Sequence, residues 1–407
     1  MKVLLPAMLI HYGPFGNEPA FAHTWTQTGA PTNYWNSIAA SADGTKLVAV
    51  VYGGGIYTST NSGATWTQTG APSGFPWESV ASSADGTKLV AAGFYDHPIY
   101  VSTNSGVNWS TYGPGENWQS VACSSDGNKL VAVANINGPI YTSTNSGTTW
   151  TQATSAPSNC WQSVASSADG NKLVAAVGGS GRAGPIYVST NSGTTWTQAP
   201  NAPSNCWQSV ASSADGNKLV AVSQLQYPAV GGSIFTSTNS GMIWTSNNVP
   251  GEPWSSVASS ADGIKLMAVA YNMSFSSSSG FSYAGGIFTS ANSGATWTQT
   301  IGPSNIWWYG VASADGNKFV VAVSDGGIYT SQTAPSPRLN LAPSKGNLTF
   351  SWIVPSTNFV LQQNSDLTAA ANWVTLTNKP VLNLTNLQDE VRLSPAAGKS
   401  FFRLKSQ

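Results

Sequence analysis

Apolar, β-branched and aromatic residues come in short runs along this chain, cut by Gly, Pro, Asn and Asp, and one set of four runs returns again and again. The unit opens with Trp-x-Ser-Val-Ala-Ser. It passes through Ala-Asp-Gly-x-Lys-Leu-Val-Ala-Val to Ile-Tyr-Thr-Ser, and closes with Thr-Asn-Ser-Gly-x-Thr-Trp-Thr-Gln. Short β-favouring runs bounded by turn residues predict four strands per unit. Opening tryptophans stand at Trp35, Trp77, Trp118, Trp161, Trp207, Trp254 and Trp308, between 41 and 54 residues apart, and closing ones at Trp66, Trp109, Trp150, Trp196, Trp244 and Trp297. Four strands at such a period make the blade of a propeller.

Seven openings meet six closings, and an orphan closing segment, Thr24-Trp25-Thr26-Gln27-Thr28-Gly29, stands ahead of the first opening. The predicted fold is therefore all-β: a seven-bladed β-propeller over residues 23–333, closed by its own N-terminal strand. Growth in the spacing falls mostly in one connection, between second and third strands. In the first connection, Asp43, Asp85, Asp126, Asp169, Asp215, Asp262 and Asp315 each precede a glycine and supply turn chemistry. The lysine three places on, Lys46 through Lys318, is expected to cover apolar surface with its stem. Seven identical active sites at seven turns make no catalytic sense, so these pairs read as scaffold.

The closing segment Ser59-Thr60-Asn61-Ser62-Gly63-Ala64-Thr65-Trp66 resembles the Asp-box of the BNR-repeat, sialidase-like propellers, Ser-x-Asp-x-Gly-x-Thr-Trp. Further copies end at Trp109, Trp150, Trp196, Trp244 and Trp297; all six carry Asn for Asp, and the fifth has Ile243 for Thr. The resemblance implies a hairpin staple away from the working face. It does not fix a function, because that superfamily spans sialidases, xyloglucan-cleaving glucanases, sortilin-type receptors and a photosystem II assembly factor.

Composition narrows the classes. Formal net charge is zero and charged residues make up only 8% of the chain, against about 25% in ordinary soluble proteins. No basic stripe exists to neutralise phosphates, so a nucleic-acid partner is not expected. Residues 1–22 read as a secretory signal peptide, with Lys2, the apolar run Val3 to Ile10 broken by Pro6, and the cleavage pattern Ala20-Phe21-Ala22. That run is too short to span a bilayer. Export to a secreted or extracytoplasmic site as a monomer follows as an expectation. Cys123, Cys160 and Cys206 form no disulfide framework, and no metal or cofactor is expected. After the linker 334–337 the unit disappears, and short alternating runs over residues 338–407 predict a small β-sandwich, resembling C-terminal modules of secreted bacterial proteins.

Removing what the units share leaves few charges in the ring: Glu78, Asp96, Glu116, Glu252, Asp325, Arg182, His23 and His97. In a propeller whose first strands line the channel, nearly all of these fall on the face opposite the closing turns. Phe94, Tyr95, Tyr227, Tyr271, Phe275, Phe281, Tyr283 and Trp307 join them. One reading is a binding surface for extracellular glycan, with Tyr95, His97, Arg182, Tyr227, Tyr271, Tyr283, Trp307 and Asp325 as ligand contacts. Asn36, Gln119, Gln162 and Gln208 beside the opening tryptophans would add amide hydrogen bonds. A second is a glycoside hydrolase on neutral polysaccharide, drawing two carboxylates from Glu78, Asp96 and Glu116. The three-arginine clamp of sialidases cannot be built, since Arg182 is alone in the ring. A third is a protein-binding scaffold.

Overall fold

The computed structural model of the chain describes residues 25–179, 181–224, 232–247, 249, 251–271, 273–276, 280–283, 285–300, 307–332, 339–344, 347–353, 359–365, 373–378, 380–383, 388–394 and 400–406. The expected leader, His23, Tyr227 and the linker lie outside these residues. Every regular element among them is a strand. Among the described residues, no helix is long and apolar enough to cross a membrane.

Four-stranded antiparallel units follow one another along the chain as a β-propeller. Sheet 1 comprises Trp35–Ala40, Leu47–Gly54, Ile56–Ser59 and Thr67–Gln68. Sheets 2 to 6 begin at Phe75–Ser82, Trp118–Cys123, Trp161–Ser166, Cys206–Ser212 and Trp254–Ser259, and sheet 7 at Trp307–Ala312. The fourth strand of sheet 7 is Trp25–Gln27, antiparallel to Ile328–Gln332 with Trp25 opposite Ser331.

The second strands, Leu47–Gly54 and its counterparts, carry Leu-Val-Ala-Val runs because both of their faces are covered. Leu89–Gly93, Leu130–Ala134 and Leu173–Val177 are buried throughout, and such strands read as continuous apolar runs rather than alternations. The cores lie between sheets. Val48, Val50 and Ile56 of sheet 1 pack on Trp77, Val80 and Leu89 of sheet 2. The same contact recurs around the ring, until Val320, Ala322 and Ile328 of sheet 7 pack on Trp35, Leu47 and Ala49 of sheet 1. Each opening tryptophan from Trp35 to Trp254 is buried in one of these cores, a burial worth on the order of 4 kcal/mol apiece. Trp35 meets Tyr57 edge-on at 5.3 Å, and Trp161 meets Tyr187 likewise.

Hydrogen bonds also run from sheet to sheet at the Ala-Asp-Gly turns. Ala42 N–H donates to Ala84 O, Ala84 to Ser125, Ser125 to Ala168, Ala168 to Ala214, Ala214 to Ala261, Ala261 to Ala314, and Ala314 back to Ala42. The cycle returns to its start after seven turns. The lysine stems do more than cover apolar surface. Lys46 lies against Gly86 of the next sheet, where a φ of +68° and the crowding of its stem exclude any Cβ. Its Nζ donates to Asp85 O at 2.8 Å. Lys129 bonds Asn171 Oδ1 (2.6 Å) and Ser192 Oγ (3.1 Å) in the same sense. Serine hydroxyls add a third link, with Ser79 Oγ accepting from Val121 N–H at 3.0 Å.

In the closing turns, Ser59 Oγ accepts from Gly63 N–H (3.0 Å) and Asn61 Oδ1 from Thr65 N–H (2.9 Å). Asn61 Nδ2 donates to Thr65 Oγ1 at 2.9 Å, a bond no aspartate could make. Ile243 costs its copy only that side-chain bond, because Ile243 N–H still reaches Asn239 Oδ1.

One register correction concerns sheet 7. Trp307 stands opposite Val323, as Trp35 stands opposite Val51, and a bulge follows each. Trp307, not Trp308, therefore holds the opening position. Two adjacent tryptophans and a Tyr309-Gly310 pair in place of the usual Ser-Val hide the register.

Beyond the ring, Asn340–Ser344, Asn347–Ile353, Gln388–Leu393 and Val381–Asn383 form one sheet, and Val374–Thr375, Phe359–Asn364 and Phe401–Ser406 another. Phe350, Trp352 and Val391 of the first meet Leu361 of the second, with Phe350 and Phe402 ring centroids 4.3 Å apart.

Candidate functional site at the loop face

All seven first strands carry a β-bulge at the same place, immediately after the opening tryptophan. A bulge re-aims the side chain it displaces. The residues at this position are Asn36, Glu78, Gln119, Gln162, Gln208, Ser255 and Trp308. First strands of adjacent sheets neighbour one another all the way round, from sheet 1 to sheet 2 and from sheet 7 back to sheet 1. The seven positions therefore ring the channel at its loop-face end. Glu78 is the one acid among them.

Asn36 Nδ2 donates to Glu78 Oε2 at 2.8 Å and to Trp77 O at 2.9 Å, bridging sheets 1 and 2. Burial pushes the Glu78 carboxyl up to about 7, and the bond from Asn36 offsets only part of that rise. Its field reaches Tyr309 of sheet 7 and Tyr52 of sheet 1. The Tyr309 phenol is pushed well above its ordinary value, first by burial and then by Glu78. Tyr309 occupies the position where the other sheets have the linking serine.

Tyr52, whose phenol feels the Glu78 charge, stands with two further exposed tyrosines. Tyr34, Tyr52 and Tyr95 are 58%, 46% and 64% exposed. Tyr52 N–H donates to Tyr34 O at 3.0 Å, and the Tyr52 phenol is raised first by its hydrogen bond with Tyr95. Sheets 1 and 2 are also joined directly here, Tyr52 pairing with Pro76 and Gly54 with Phe75. Tyr95 and Asp96 have φ of 66° and 56°, and Ile136 and Asn137 both have 58°. Two successive left-handed residues make a hairpin turn that favours Asn-Gly. Tyr95 and Ile136 hold such positions at a cost of about 1–2 kcal/mol each. Both are exposed on this face.

The expected acid trio divides in two. Glu116 is raised by burial and then by Asp96, and the strands bearing them pair, His97 opposite Glu116. Asp96 and Glu116 thus stand side by side on one hairpin rather than across a cleft, whereas the neighbours of Glu78 are Asn36, Tyr52 and Tyr309. His97 is half-buried, stacked on Phe75 at 4.1 Å, and its carbonyl takes the Trp118 indole N–H. Arg182 is exposed on sheet 4, with Nη1 2.7 Å from Cys160 Sγ. Tyr271 OH accepts from Gln224 Nε2 at 2.9 Å. Asp325 is exposed with φ 53°. Tyr283 is placed only as backbone, opposite Met273, and Trp307 holds a register position whose counterparts are buried. Cys123, Cys160 and Cys206 are free thiols. Charge and loop length alone do not single out Tyr34, Tyr52 and Tyr309. Aligning the units column by column isolates Tyr309, which replaces a serine.

Compared by sequence, the chain matches no family model and no curated protein. Among solved structures, it resembles YCF48 from Cyanidioschyzon merolae, with TM-score 0.57 and 16% identity over 76% of this chain and 98% of that one. A structure of YCF48 bound to D1 peptide gives TM-score 0.53 and 16% identity, covering 80% and 99%. The Cps50 (Swd1) β-propeller domain of Myceliophteria thermophila gives 0.57 and 11%, covering 76% and 100%. These likenesses establish the propeller fold. At such identities they carry nothing further.

Proposed function

We propose that this protein is an exported, non-catalytic binding propeller whose loop face holds extracellular carbohydrate on sheets 1 to 3. The observation that carries the reading is the linked shelf of exposed Tyr34, Tyr52 and Tyr95 beside the Glu78 carboxyl. Aromatic faces stack on sugar rings, and amides at the bulges supply directional bonds. Catalysis is not favoured, because a two-carboxylate mechanism needs acids flanking the scissile bond, and Asp96 and Glu116 share one hairpin. The six closing turns are Asp-box staples in this reading, and residues 1–22 are the export signal.

A glycan array on the purified chain tests it, with Tyr52→Ala/Tyr95→Ala as control. Binding to a restricted set of glycans that the double variant loses is expected. A flat response across neutral and acidic glycans would sink the carbohydrate reading. Reducing-sugar release by the wild type that Glu78→Gln abolishes would replace it with an enzyme.

A further inference from the structure

Charge on the loop face is unbalanced. At the opposite end the turn aspartates are matched by the lysines of neighbouring sheets: Asp85 is lowered by its bonds to Ser83 and Thr87 and by Lys46, and Asp169 in the same way by Lys129. On the loop face, Glu78, Asp96, Glu116, Glu252 and Asp325 are set against Arg182, which lies on sheet 4 with one nitrogen turned to Cys160. Only Glu78 of these acids is both recessed and set among aromatic rings. Its Oε2 takes the Asn36 amide, while Oε1 has no protein partner among the described residues. Tyr52 and Tyr95 on this corner remain 46% and 64% exposed, the Tyr95 ring meeting that of Phe94 edge-on at 5.5 Å.

We infer that this corner, the Glu78 carboxylate with the rings of Tyr52 and Tyr95 beside it, is a subsite for an organic ammonium group. The inference rests on the choice of face made above and not on the sugar. A carboxylate attracts any cation, but a small, strongly hydrated one keeps its water. A methylated ammonium is weakly hydrated and sheds that water to lie against aromatic faces, where the ring quadrupole favours it. Asn36 holds the carboxylate in place, and burial leaves little competing solvent.

Binding of a fixed cation requires the ionised form of Glu78. Because its carboxyl sits near 7, affinity should climb about tenfold per pH unit below that value and level off above it. Other groups facing it are the Tyr52 and Tyr309 phenols, both raised and so neutral through this range, and the uncharged Asn36. Asp96 and Glu116 lie on the neighbouring hairpin.

The test is an NMR titration of the full chain with tetramethylammonium, whose charge does not titrate, beside neopentyl alcohol as an uncharged analogue of similar size. Saturable binding of the cation is expected, about tenfold weaker at pH 6 than at pH 8, with weaker and pH-independent binding of the alcohol. Glu78→Gln should abolish the pH dependence, and Tyr95→Ala, which alters an exposed ring, should weaken binding several-fold. Equal affinity for the alcohol, an unchanged affinity in Glu78→Gln, or no saturation below about 0.1 M would overturn the subsite. A negative glycan array alongside a positive titration would remove the sugar and keep the subsite; the reverse pair would do the opposite.

Discussion

Glu78→Gln isolates one buried charge in a ring otherwise neutralised at its turns. The carboxyl is raised from its ordinary 4.5 to about 7, chiefly by burial. Each unit is worth about 1.4 kcal/mol, so the shift corresponds to about 3 kcal/mol. The sign follows from which state holds the proton. Between 4.5 and 7 the folded protein keeps a proton that the unfolded chain has released, so stability falls as pH rises through this window. The full stability is present below about 4.5, and the penalty is complete above about 7. Glutamine keeps a side-chain oxygen for Asn36 Nδ2 and has no charge to desolvate. Its advantage over the wild type should be near zero at pH 4 and about 3 kcal/mol at pH 8. For a chain of this length, that is roughly 3–4 °C in Tm. Urea denaturation of both proteins at pH 4, 6 and 8 reads it directly, and the difference between them cancels other titrating groups, such as Asp315, which burial lifts to about 6. A wild-type-to-variant gap that does not change with pH would refute the burial of this charge.

Two further outcomes follow from the same geometry. Tyr95→Asn places a residue tolerant of left-handed backbone at φ 66°; stability should rise by about 1 kcal/mol while glycan binding is lost, and a destabilisation of that size would contradict the strain. Deleting residues 23–30 removes Trp25–Gln27 from sheet 7 and the bond from Thr28 N–H to Ile328 O, so Tm should fall by several degrees; an unchanged melting curve would refute closure by this strand.

The fold was legible because each unit states its strands twice, in its apolar runs and in its turn residues. What a single unit could not show is how units hold one another. Lys46 reads as a stem over apolar surface because its partners, Gly86 and Asp85, belong to the next unit. The one-residue displacement at Trp307 arose where sheet 7 departs from the pattern that locates the others. For the site, subtracting repeated charges exposed Glu78 and retained His97, whose stacking on Phe75 is a contact that a count of charges cannot show. Tyr34 and Tyr52 escaped because one stands just before a first strand and the other near the end of a second strand, where an isolated aromatic carries no signal until Tyr95 is seen beside one of them.

Four departures from the repeat fall on three adjacent sheets, although the Ile136–Asn137 turn of sheet 3 shares the strain of one of them. Glu78 replaces an amide, Tyr309 replaces a linking serine, Tyr95 and Asp96 occupy a turn suited to Asn-Gly, and Tyr52–Pro76 pairing fuses two sheets that are separate elsewhere. Three of these deviations lower stability or break a link that the remaining sheets make, the Tyr52–Pro76 pairing instead adds one, and all four lie on the adjacent sheets 7, 1 and 2. A ring maintained for packing alone would distribute such costs among seven nearly equivalent positions. Local rules broken together in one place mark a site that serves something other than the fold. The corner around Glu78, rather than the longer loops of sheets 5 and 6, is therefore where a ligand should be sought.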